Sequence, residues 1–174
     1  MEPWVKILRC KVLLPVMQRI STLRNDSTPC KIEEGLYLGS FGAAGNRSEL
    51  KSLNITHILT VSNSLSSLYP NDFAYKTISV SDKGDVDIAQ CFEECFEFIE
   101  EGKRSGGVLV HCFLGRSRSV TIVLAYLMEK HGMNLALALE HVRKGRKEAS
   151  PNSGFIAQLK ELEKTLRGTS NLPG

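Results

Sequence analysis

The stretch Val108-Leu109-Val110-His111-Cys112-Phe113-Leu114-Gly115-Arg116-Ser117-Arg118-Ser119 constrains the fold more than any other part of this chain. A short apolar run leads into it. Val120-Thr121-Ile122-Val123-Leu124-Ala125-Tyr126-Leu127-Met128, apolar nearly all round, leads out. The pattern predicts a buried strand, a tight loop and a core helix in direct succession. The loop then lies between a strand's C-terminal end and a helix N-terminus, where unpaired backbone N–H groups and the helix dipole favour an anion. Cys112 opens the loop and Arg118 closes it, with five residues between them. The guanidinium offers phosphate oxygens a planar, two-pronged donor, and the positive surroundings favour the Cys112 thiolate at neutral pH. Nucleophile, oxyanion cradle and charge clamp fall within one turn of chain. A buried structural cysteine beside an ordinary helix start does not account for Arg116, Ser117 and Arg118 crowding between two hydrophobic elements.

A chain of 174 residues suffices for one domain with a real core and is short for two. Its formal charge of +3 is mild, so bulk electrostatics give no reason to expect nucleic acid as a partner. Five cysteines, unevenly spaced, do not read as a secreted disulfide framework. No signal peptide with a small-residue cleavage site is visible, and Lys or Arg interrupts the N-terminal apolar stretch too soon for a membrane span. A reducing cytoplasm or nucleus is the expected setting, and it suits a thiolate. The chain divides near residue 30. Residues 1–29 form a basic, apolar extension ending in the linker Asp26-Ser27-Thr28-Pro29. Residues 30–167 carry strand and helix signals, and 168–174 read as a flexible tail.

Within the folded part, Gly35-Leu36-Tyr37-Leu38-Gly39 predicts a short strand, Asn46 to Leu53 a small helix, Ile55 to Val61 a buried strand and Phe73 to Val80 another. Ile88, Cys91, Phe92, Cys95 and Ile99 recur at helical spacing and predict an amphipathic helix from about Asp87 to Glu101. Cys91 and Cys95 share its inner face, where they read as small apolar core residues rather than metal ligands. Asn134 is placed to cap a helix from Leu135 to about Arg143, ended by Gly145. Ser150-Pro151-Asn152-Ser153 starts a last helix with Phe155, Leu159, Leu162 and Leu166 on one face. Strands interleaved with helices predict an α/β fold, a central mixed sheet flanked by helices.

Cys112-x5-Arg118 with its flanking His111 and Ser119 resembles the signature of the cysteine-dependent protein phosphatases. Gly35-Leu36-Tyr37-Leu38-Gly39-Ser40, Ile55-Thr56-His57-Ile58-Leu59-Thr60-Val61, Ala125-Tyr126-Leu127-Met128 and Ser150-Pro151-Asn152 followed by Phe155 resemble the dual-specificity subclass, and most closely the small plant enzymes that dephosphorylate MAP kinases. The resemblance spans about Ile32 to Leu166. It implies the dual-specificity cysteine-phosphatase fold and a cleft shallow enough for phosphoserine and phosphothreonine as well as phosphotyrosine. It also implies roles. Cys112 is the nucleophile and Arg118 the phosphate clamp, the backbone of Phe113, Leu114, Gly115, Arg116, Ser117 and Arg118 binds phosphate, and Ser119 steadies the departing thiolate. His111 orders the loop and favours the thiolate. Asp82, 30 residues before the cysteine, is the general acid and then base; Asp85 reads as a turn residue and Asp87 as a helix cap. Asn152 matches a family position that supports the phosphate loop, and reads equally as a helix-start residue. No metal or other cofactor is required, and the spacing is not that of metal ligands.

Residues 4–20 interleave Trp4, Ile7, Leu8 and Met17 with Lys6, Arg9, Lys11 and Arg19. Such a pattern suits contact with calmodulin or a membrane surface, although Pro15 argues against one unbroken helix. A start rich in Lys and Arg also fits an organellar transit peptide. The cluster Arg143-Lys144-Gly145-Arg146-Lys147 satisfies a helix C-terminus or forms a docking patch for an acidic kinase surface. Phosphorylated proteins, MAP kinases foremost, are the implied substrates. The alternatives are a phosphoinositide, an RNA 5′-phosphate or a phosphoglucan, and, in another class, a silent phosphopeptide-binding module. The presence of Cys112, Arg118 and Asp82 argues against the last.

Overall fold

Alternation along the strands decides which side of the sheet each element covers. In the computed structural model, which describes residues 26–169, β1 (Cys30–Glu33), β2 (Leu36–Gly39), β3 (His57–Val61), β4 (Ala74–Ile78) and β5 (Val108–His111) form one sheet in the order β1-β2-β5-β3-β4. Leu36, Leu38, Leu59, Val61, Val108 and Val110 point into the larger core, and Tyr37, Ile58 and Leu109 into a smaller one. That is the two-residue period of a sheet buried on both faces.

The larger core is closed by α3 (Phe92–Ser105), α4 (Arg118–His131), α5 (Leu135–Gly145) and α6 (Ser153–Thr169). The smaller is closed by α1 (Phe41–Ala44), α2 (Arg47–Ser52) and the segment around Phe73. Every residue of α4 from Arg118 to Met128 is buried, as its all-round apolarity requires. The expected mixed sheet flanked by helices is therefore present. Only β1 runs antiparallel to its neighbour; β2, β5, β3 and β4 are parallel. Their register aligns Gly39, His111, Thr60 and Thr77 in one row at the C-terminal ends of the strands, the edge where open α/β sheets bind ligands.

Local chemistry sets the boundaries. Asn46, Asn134 and Asn152 cap α2, α5 and α6 by accepting from Glu49 N at 3.3 Å, Leu137 N at 2.9 Å and Phe155 N at 3.0 Å. The helix expected from Asp87 begins instead as a 3₁₀ turn over Ala89–Cys91, which Asp87 Oδ1 caps through Ala89 N at 3.1 Å and Gln90 N at 3.4 Å. Cys91 and Cys95 lie in the larger core, and burial pushes both thiols up. α5 continues through Gly145, and α6 runs to Thr169, two residues into the segment read as a tail. Asp26 and Ser27, read as linker, are tied to the domain: Ser40 Oγ donates to Asp26 O at 2.9 Å and Asn46 Nδ2 to Ser27 O at 3.0 Å. The readings for residues 4–20 fall outside the described residues.

Phe155 is fully buried beneath the first turn of α6. Phe155→Ala is expected to cost about 3–5 kcal/mol, read as a lowered urea midpoint in equilibrium unfolding.

Candidate active site

The loop after β5 is organised by where its carbonyls go. Six consecutive carbonyls, Cys112 to Ser117, are each taken by a donor outside the loop. His111 Nδ1 lies 3.3 Å from Cys112 O. Phe41 N, at the start of α1, donates to Phe113 O at 3.0 Å, Ser150 N to Arg116 O at 2.8 Å and Thr121 N to Ser117 O at 2.9 Å. Arg146 holds the middle pair, NH2 on Leu114 O at 2.8 Å and Nε on Gly115 O at 2.5 Å. A planar trans peptide points its N–H opposite to its carbonyl. The N–H groups of Phe113 through Arg118 therefore turn to the side away from these donors, toward the cleft that holds Cys112. Gly115 makes the turn possible, with φ +64° and a Cα position where any Cβ would overlap the Gly39 carbonyl.

That cleft has a volume of about 250 Å³ and is lined by Asp82, Cys112, Phe113, Leu114, Arg116, Ser117 and Arg118. Cys112 lies at its buried end, and Ser119 Oγ donates to its Sγ at 3.2 Å. Arg118 opens α4 with a buried side chain whose NH1 donates to Ser62 Oγ and Val80 O, both at 3.2 Å. Its buried Nε has no hydrogen-bond partner among the described residues, the nearest recorded carboxylate oxygen, Asp82 Oδ2, standing 3.8 Å away. An unsatisfied guanidinium donor beside a row of inward amides is a site for an oxyanion.

Asp82 follows β4 on a separate loop. Ser117 Oγ donates to its Oδ1 at 2.7 Å and Asn152 Nδ2 to the same oxygen at 2.9 Å. Asn152 N also donates to Ser117 Oγ at 3.1 Å. Asn152 thus caps α6 through Phe155 N and bridges Asp82 Oδ1 and Ser117 Oγ. Asp85 is exposed and Asp87 caps its turn, and neither lines the cleft.

His111 sits beneath the loop, with Nε2 2.8 Å from Thr60 Oγ1. A carbonyl only accepts, so Nδ1 carries the proton facing Cys112 O and Nε2 accepts from the Thr60 hydroxyl. Burial pushes this imidazole down to about 4, against a smaller upward pull from the Cys112 carbonyl. At neutral pH the ring is uncharged. In this state His111 holds the loop through its contacts with Cys112 O and Thr60 Oγ1.

The sequence reading missed Arg146, Thr60, Ser62 and Gly154. Arg146 was hidden inside a basic cluster; it is 4% exposed and turned under the loop, so it cannot join a surface docking patch. Gly154 abuts the backbone of Gly84, where a Cβ would overlap the Gly84 carbonyl, and no one-dimensional pattern announces such a contact. A larger groove of about 550 Å³ between α3 and α6, lined by Phe92, Phe96 and Leu162 among others, has no cysteine or arginine in its lining.

Residues 36–165 match the family model of the dual specificity phosphatase catalytic domain. The chain belongs to the dual specificity phosphatase family. It is 56% identical over 158 residues to dual specificity protein phosphatase 1 of Arabidopsis thaliana, covering 90% of this chain and 80% of that one. It is 46% identical over 138 residues to MAP kinase phosphatase with leucine-rich repeats protein 1 of Dictyostelium discoideum, covering 79% of this chain and 16% of the relative. The crystal structure of human DUSP28 superposes with a TM-score of 0.76 at 32% identity, covering 80% of this chain and 95% of that one. The protein is an enzyme, a dual-specificity protein phosphatase.

Two measurements follow for this phosphatase. Because the folded state depresses His111 from 6.5 to about 4, its stabilising contribution is complete above pH 6.5 and is lost as pH falls toward 4. The loss amounts to at most about 3 kcal/mol. Thermal melts of wild type should drop across that window, and a His111→Gln variant, less stable at pH 7, should drop less. Gly154→Ala should displace the Gly84 backbone and with it Asp82, lowering kcat by about tenfold or more while melting remains cooperative.

Proposed function

We propose that this phosphatase hydrolyses its phosphoprotein substrates through a cysteinyl-phosphate intermediate, with MAP kinases as the substrate class. The observation that carries the mechanism is the cradle: six outward carbonyls leave six N–H groups facing the cleft at whose buried end Cys112 sits. Three phosphate oxygens are bound by those amides and by the Arg118 guanidinium. The Cys112 thiolate attacks phosphorus in line, and the P–O ester bond breaks as Asp82 gives its proton to the leaving oxygen. Water then attacks the phosphocysteine, Asp82 takes a proton from it, and the P–S bond breaks. Ser119 Oγ, 3.2 Å from Sγ, donates to the departing thiolate. Asp82 Oδ1 is occupied by Ser117 and Asn152, which leaves Oδ2 to carry the proton.

Substrate class rests on two supports. The cleft is small, with exposed Arg116 on its lining, which suits a phosphorylated side chain presented on a loop. The Dictyostelium relative is by name a MAP kinase phosphatase. Residues 4–20 supply a basic, apolar segment suited to calmodulin or an anionic membrane surface, and the setting proposed is the cytoplasm or nucleus.

The test is phosphate release from a doubly phosphorylated Thr-x-Tyr activation-loop peptide, without metal. Release at both positions is expected, abolished by Cys112→Ser. Asp82→Asn should lower kcat by about 10²–10⁴-fold. A wild type that binds the peptide and releases nothing would move the substrate to a non-protein ester.

A further inference from the structure

Of the donors that turn the loop's carbonyls outward, only one reaches in from a distant side chain. Phe113 O, Arg116 O and Ser117 O are held by backbone N–H groups, and Cys112 O by the side chain of its neighbour His111. The two central carbonyls, flanking the left-handed turn at Gly115, depend on the guanidinium of Arg146. That guanidinium is 4% exposed and would be costly as an uncompensated charge. Its partner is Asp26, with NH2 on Oδ2 at 2.5 Å and NH1 on Oδ1 at 3.2 Å. Asp26 is itself fixed, its carbonyl accepting from Ser40 Oγ at 2.9 Å. The planar fork thus serves two carbonyls and a carboxylate at once, which a single ammonium cannot reproduce.

We propose that Arg146 is a positioning residue for the phosphate cradle and that Asp26, at the junction with the basic N-terminal segment, sets its grip. The Leu114–Gly115 and Gly115–Arg116 peptides keep their N–H groups in the cleft because Arg146 holds their carbonyls on the opposite side. Arg146 lies behind the loop, touches no substrate and acts through these two peptides. Asp26 neutralises it and orients the fork. Asp26, which orients that fork, adjoins residues 1–25 in the chain, and whatever moves Asp26 is felt at the phosphate site.

The proposal rests on the cradle as the phosphate site, and the experiment separates the two. Full-length wild type, Cys112→Ser, Arg146→Met, Arg146→Lys and Asp26→Asn are compared on para-nitrophenyl phosphate, for inhibition by orthovanadate, and for Cys112 alkylation by iodoacetamide at about pH 6. Wild-type turnover that Cys112→Ser abolishes tests the phosphatase mechanism alone. Arg146→Met should lower kcat/KM by about a hundredfold, weaken vanadate binding by a similar factor and slow alkylation. Arg146→Lys should recover part of each, and Asp26→Asn should show a smaller loss of the same kind. Vanadate affinity and alkylation rate that match wild type in the folded variants would overturn the proposal, since a purely structural residue would move only the melting temperature. If Arg146→Met fails to fold, Asp26→Asn decides: unchanged vanadate affinity rejects the proposal and weakened affinity supports it.

Discussion

Backbone polarity around one loop is the constraint on which the rest of this structure depends. A peptide carbonyl buried without a donor costs free energy comparable to a lost hydrogen bond. Satisfying six consecutive ones in one loop therefore demands donors from several elements. The fold supplies them from β5 through His111, the N-terminus of α1 through Phe41, α4 through Thr121, the turn before α6 through Ser150, and the residue after α5 through Arg146. The return is a concave row of amides at the N-terminus of a helix buried from Arg118 to Met128, where partial positive charges converge.

Charge is distributed to keep that concavity attractive at one point. Two arginines flank the loop, and their partners differ. Arg146, behind it, is neutralised by Asp26 in a close two-point contact. Arg118, facing the cleft, donates from NH1 to Ser62 Oγ and Val80 O, while Asp82 Oδ2 stands 3.8 Å from its Nε, which has no hydrogen-bond partner among the described residues. One guanidinium is used up in orienting the backbone and the other remains available to an anion. His111 fits the same scheme, since burial keeps its ring neutral and leaves it to orient the Cys112 carbonyl without adding a charge. The positive potential in the cleft comes from Arg118, Arg116 and the amides, all of which a phosphate can reach.

What was legible in the sequence follows from which signals are periodic or local. The strand–loop–helix at Val108 to Met128, the inner strands and the asparagine caps are local patterns, and they stand where the residues put them. β1 was invisible because only Ile32 of its four residues is buried and an edge strand needs no alternation. α1 has four residues, too few for a helical period to show. Arg146 reads as surface charge among Arg143, Lys144 and Lys147, and only the three-dimensional path reveals that it turns inward. The charge state of His111 depends on burial, which the flanking residues do not specify.

The segment from Ser150 to Phe155 ties the Asp82 loop to the loop after β5. Ser150 N holds the Arg116 carbonyl, Asn152 N holds the Ser117 hydroxyl, and the Asn152 side chain holds Asp82 Oδ1 while also capping α6. Gly154 lets the Gly84 backbone of the Asp82 loop lie directly against the helix start. Phe155 buries the whole turn in the core. The loop after β5 and the Asp82 loop begin about 30 residues apart in the chain, yet both are fastened to this one turn. The Asp82 loop is therefore held beside the loop after β5 from the start of α6. The same attachment explains why the cleft stays small. The Asp82 loop is pulled toward α6 by Asn152 and toward the cradle by Ser117, so it forms one wall of the cleft in the structure as it stands.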